Sequence, residues 1–140
     1  MVPAPDGGGH DEMPEGGAVY VFGAVVELDP DEPGVWAEPG TVETTVYREA
    51  DPPGDPGWLY FRDNLWHGEC NDAEHMRSVT EAALDAPVSR VEFRELRTTP
   101  GYLERLREAI AADLAAFNAA TVDEVVSKYL GSSVRVVDGE

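Results

Sequence analysis

One lysine, Lys128, and nine arginines face 28 carboxylates in a chain of 140 residues, leaving a formal charge of −18. That imbalance is the strongest constraint on folding, because so negative a body repels itself when it becomes compact. At ~1 M salt the Debye length falls to about 3 Å and the repulsion is largely screened. The composition therefore fits a salt-rich cytoplasm. A GC-rich genome would also favour arginine over lysine, but it does not raise acids so far above bases. A surface made to receive a basic partner, the other explanation of acidity, would group its carboxylates in blocks. Here they stand singly or in pairs, as in Asp11-Glu12, Asp31-Glu32 and Asp123-Glu124. The same balance argues against contact with nucleic acid, whose phosphates call for Lys and Arg.

Length and hydrophobic content suit one domain with an ordinary core. Ala18 to Val26, the longest nearly pure apolar run, includes Gly23 and is far shorter than the ~20 residues that span a bilayer. No membrane element and no secretory leader are expected. The single cysteine, Cys70, excludes an internal disulfide. A cytoplasmic monomer or small homo-oligomer is the expectation.

Charge is uneven along the chain. Residues 1–56 hold thirteen acids, the single base Arg48 and nine of the eleven prolines. Within them, residues 1–17 offer little to bury and read as a disordered acidic tail, followed by one α+β domain over 18–140. The run Ala18 to Leu28 reads as a central strand, and Thr41 to Glu49 alternates Val42, Thr44 and Val46 with Glu43, Thr45 and Tyr47. Trp58 to Arg62 is expected to be a third strand, completing an antiparallel meander.

Helices then take over. Asn71 or Asp72 caps a helix whose buried face is Met76, Val79, Ala83 and Leu84, and Pro87 ends it. Val88 to Leu96 alternates as a strand, with Val91 and Phe93 inward. Thr99-Pro100 opens a helix reaching Asn118 along a stripe of Leu103, Leu106, Ile110, Leu114 and Phe117. Thr121 to Glu124 is a capping box for a last helix burying Val122, Val125, Val126 and Tyr129, which Gly131 ends. Val134 to Val137 closes the chain as a strand. The expected fold is α+β, one antiparallel sheet of about five strands under a layer of about three helices, in the order βββαβααβ.

No catalytic constellation stands out. The densest polar stretch is Arg62 to Asp72, with His75 one helical turn beyond. Its Asn64-Leu65-Trp66-His67, with the aromatic residues before it, resembles the segment that names the haloarchaeal LWR-salt proteins, His67 standing in the place of arginine. The resemblance implies a small acidic protein of a halophilic archaeon and carries no particular activity with it.

From the residues alone, His67, Glu69, Cys70 and His75 are candidate metal ligands, though their spacing matches no established zinc pattern. The expected arrangement has no metal and no cofactor, with Cys70 as a small filler. Trp66 either plugs the gap between sheet and helix, with Asp63 and Asn64 capping backbone groups, or lines a contact site with His67 and Glu69. Arg90, Arg94, Arg97, Arg105 and Arg107 form a second candidate, an anion-receiving patch centred on Arg90 and Arg94. Glu92, Glu95, Glu104 and Glu108 lie among these bases, so internal ion pairing is the expected state. The leading function is a non-enzymatic accessory or protein-interaction domain with a protein partner. The alternative is a small ligand-binding protein or enzyme using the Trp66–Cys70 loop.

Overall fold

The computed structural model describes residues 2–3, 17–27 and 40–137. Its main sheet has five strands: β1 (Val2–Pro3), β2 (Ala18–Glu27), β3 (Thr41–Glu49), β6 (Val88–Thr98) and β7 (Val134–Val136), in the spatial order β1-β3-β2-β6-β7. All neighbouring pairs are antiparallel except β6 and β7, which run parallel. The remaining elements are α1 (Tyr60–Asn64), a two-stranded hairpin of β4 (Leu65–Trp66) and β5 (Glu69–Cys70), α2 (Ala73–Leu84), α3 (Pro100–Ala111), a 3₁₀ turn (Leu114–Phe117) and α4 (Val122–Leu130).

The α+β class is as expected, and three details of the expected architecture are corrected. Trp58 to Arg62 is no strand: the chain turns at Gly57, whose φ is +90°, and enters α1. A short apolar run does not distinguish strand from helix by periodicity. Here the arrangement follows the rings: Tyr60 packs on Tyr20 at 4.8 Å while its neighbour Phe61 stacks on Phe117 at 5.7 Å. The sheet is mixed because α3 and α4 carry the chain across before β7, the crossover that a parallel neighbour requires. The hairpin β4–β5 forms a second small sheet. Of the expected acidic tail, Val2–Pro3 pairs with β3 as β1, and residues 1 and 4–16 lie outside the described ones.

One face of the main sheet supports the core. Ala18, Tyr20, Phe22 and Ala24 of β2, with Val46 of β3 and Val88, Val91, Phe93 and Leu96 of β6, form one cluster with Phe61, Met76, Leu106, Ile110, Phe117, Val125 and Leu130. The inward positions of β6 break strict alternation. Register shifts opposite Val21/Phe22 and Val25/Val26 insert an extra residue, Arg94 and Ser89 respectively, so that both Phe93 and Leu96 point inward.

The helix ends follow local chemistry. Asp72 accepts from the amide of His75, Thr99 from that of Tyr102 and Thr121 from that of Glu124. In the capping box, the Glu124 carboxylate reaches back one residue further than expected, accepting from Ala120 N–H at 2.7 Å. On α3 and the following turn, Leu106, Ile110 and Phe117 are buried as the stripe predicts, although the helix proper stops at Ala111. On α2 the buried pair is Met76 and Thr80, whereas Val79 is 38% exposed. The expected face was set by apolar residues alone. Thr80 enters the core because its hydroxyl donates to the Met76 carbonyl at 2.8 Å, satisfying its own polarity.

Candidate functional site

The polar stretch after α1 folds into a hairpin that seats on the end of α4. Its base is tied twice: Asn71 N–H donates to the Asn64 carbonyl at 2.9 Å, and Asn71 Nδ2 donates to the Asp63 carbonyl at 2.9 Å. Leu65 pairs with Cys70, and Trp66 with Glu69. The two residues between them, His67 and Gly68, have φ of +52° and +78°, the left-handed pair that a tight hairpin turn requires.

That turn has a second task. His67 N–H donates to the carbonyl of Lys128 at 2.8 Å, and Gly68 N–H to that of Tyr129 at 3.0 Å. Carbonyls in the last turn of a helix have no partner within the helix, and the hairpin supplies two. Gly131, with φ of +62°, ends α4 against the same turn: a Cβ there would meet the His67 carbonyl oxygen at 3.3 Å. A Cβ on Gly68 would meet the Leu130 carbonyl oxygen at 3.1 Å.

Successive residues of the tripeptide divide the work. Leu65 is fully buried, so it is the member that fills the core. Trp66 is 47% exposed, with its indole edge-on to Tyr129 at 5.8 Å and to the His67 imidazole at 4.6 Å. The model of the LWR-salt protein family matches residues 16–140, nearly the whole described chain and the hairpin with it. The chain belongs to the LWR-salt protein family. No curated protein and no solved structure matches it.

In this LWR-salt protein the residues singled out in the sequence fall into separate places. Glu69 and Cys70 line a cleft of about 420 Å³ with Arg90, Glu92 and Phe93, which neither Trp66 nor His67 lines. Burial pushes the Cys70 thiol above its ordinary range; a hydrogen bond from the Phe93 backbone opposes this, and the Glu69 and Glu92 carboxylates add to it. Such a thiol holds little thiolate at neutral pH, so the site is poorly suited to nucleophilic attack. His75 projects from the first turn of α2 into a different pocket. The candidate ligands His67, Glu69, Cys70 and His75 are thus not brought together, and among the described residues no three His, Cys, Asp or Glu gather to hold a metal ion.

The arginines divide as well. Arg90, Arg94 and Arg97 belong to β6, Arg105 and Arg107 to α3. Arg90 pairs with Glu92 at 3.3 Å, Arg97 with Glu95 at 3.0 Å and Arg107 with Asp123 at 2.8 Å. Arg94 sits at the bulge and lies over Gly23, where any Cβ would collide with its guanidinium. Sequence reasoning passed over Arg48, the one base of the acidic N-terminal segment. Its position in β3 has the parity of Val42, Thr44 and Val46, and the alternation that places Val46 in the core places Arg48 on the same face. There its guanidinium lies 4.2 Å from the centre of the Tyr60 ring.

Proposed function

We propose that this LWR-salt protein is a non-enzymatic accessory protein of a salt-rich cytoplasm that docks another protein through Trp66. The observation that carries the reading is an indole nearly half exposed yet fixed by two rings, on a hairpin anchored to α4. A rigid aromatic at the surface loses little entropy on binding and is the residue type that dominates interface energies. Glu69, directly paired with Trp66, shares its face of the hairpin and supplies a polar rim. The scattered carboxylates are attributed to the solvent, not to the partner. No helix among the described residues is long and apolar enough to cross a membrane.

The test is co-purification of the tagged chain from its own cells at molar KCl, in parallel with Trp66→Ala. A stoichiometric protein recovered with the parent chain and lost with the variant is the expected result. Equal recovery with both, or no protein at all, overturns it. The cleft of Glu69, Cys70 and Arg90 favours the second reading, a small-ligand protein using the same hairpin. A metabolite that co-purifies and is lost on Glu69→Ala would put that reading first.

A further inference from the structure

A cleft of about 240 Å³ lies between β3, α1 and α2, lined by Arg48, Tyr60, Asn64, His75, Met76 and Val79. We infer that it binds a small organic carboxylate with a short aliphatic tail.

The cation comes first. Arg48 stands on the core-facing side of its strand, where a charge is costly unless paired. Asp51 pairs with it at 3.9 Å from Nη2, and its Nε is sealed from solvent with no hydrogen-bond acceptor among the described residues. The Tyr60 ring, its centre 4.2 Å from Cζ, supports the guanidinium, while a third of the side chain stays open to solvent. A pre-oriented planar fork of this kind matches the geometry of a carboxylate.

The rest of the lining is consistent with that cargo. Among the described residues no acid lines the cleft. Asn64 and His75 contribute polar groups, and the Tyr60 hydroxyl donates to the Met76 sulfur, 3.7 Å away. Burial raises the Tyr60 phenol to about 12, Arg48 opposing, so at neutral pH it is a hydrogen-bond donor. Met76 and Val79 form an apolar wall, which gives the exposed Val79 a use that α2 packing does not. The volume corresponds to roughly eight water molecules of liquid, more than a halide fills and enough for a short-chain acid.

The probe is potassium butyrate, titrated into the ¹⁵N-labelled full chain at fixed ionic strength while the Arg48 guanidinium and His75 ring signals are followed. Inorganic phosphate and chloride form separate arms. Saturable shifts in the millimolar range with butyrate are expected, at least about tenfold weaker in Arg48→Gln and unchanged in Arg90→Gln. Val79→Glu, at an exposed position, should abolish them without altering the melt. The inference fails if butyrate gives no saturable shift, if Arg48→Gln responds like the parent, or if phosphate or chloride binds as well as butyrate. Loss of Trp66 should leave this binding intact, which separates it from partner docking.

Discussion

Gly68 and Gly131 meet where the hairpin turn closes on the end of α4, each with a positive φ and each within 3.3 Å, measured from an added Cβ, of the other segment's backbone. The hydrogen bonds from His67 and Gly68 to Lys128 and Tyr129 require that closeness.

Alanine at either glycine therefore meets two penalties, the left-handed backbone and the tight contact. Gly68→Ala and Gly131→Ala should each cost at least about 1–2 kcal/mol in urea unfolding. Gly40→Ala, with open space around its Cβ, should change stability little. Equal effects at Gly40 and Gly68 would show that the junction is not tight.

Core and surface aliphatics on the helices should separate cleanly. Leu106, 1% exposed, should cost ~2–5 kcal/mol on truncation to alanine. Val79→Ala should stay within about 0.5 kcal/mol. A small loss at Leu106 would overturn the burial of the α3 stripe.

Alkaline pH should destabilise the fold. Burial raises Tyr60 and Tyr102 to about 12 and Tyr20 well above its ordinary value, with other phenols and Asp51 adding to burial and the nearby arginines opposing it. Below pH 10 these phenols are neutral in both folded and unfolded chains. Between about 10 and 12 the unfolded chain releases protons that the folded one keeps, so stability falls as pH rises through that window. Denaturant midpoints measured across it should drop, and Tyr60→Phe should drop less. A flat profile would contradict the burial of these hydroxyls.

The net charge predicts the salt dependence. Raising KCl from millimolar to molar should lift the melting temperature by about 10 °C or more, a gain of a few kcal/mol. Identical melts would transfer the acidity to a binding role.

Legibility followed the range of the interaction. The caps at Thr99 and Thr121 act within four residues, and both were readable. The strand pattern of Thr41 to Glu49 was also readable, and it carried the unread message that Arg48 faces inward with Val46. What sequence could not show was anything set by distant chain: the pairing of Tyr60 with Tyr20 that makes α1 a helix, or the carbonyls of α4 that receive the His67 turn. The bulge at Arg94 is of the same kind, since an extra residue is visible only against its partner strand. The candidate site split for that reason: Trp66, Cys70 and His75 are close in sequence but stand on successive elements that point apart.

The dependence of the hairpin on α4 sets an order of assembly. The carbonyls of Lys128 and Tyr129 that hold the His67-Gly68 turn take their places only when Val122–Leu130 is helical, far along the chain from the turn itself. Until α4 is in place the Leu65–Cys70 segment has no seat, so this hairpin, for all its two-residue turn, closes as a long-range step.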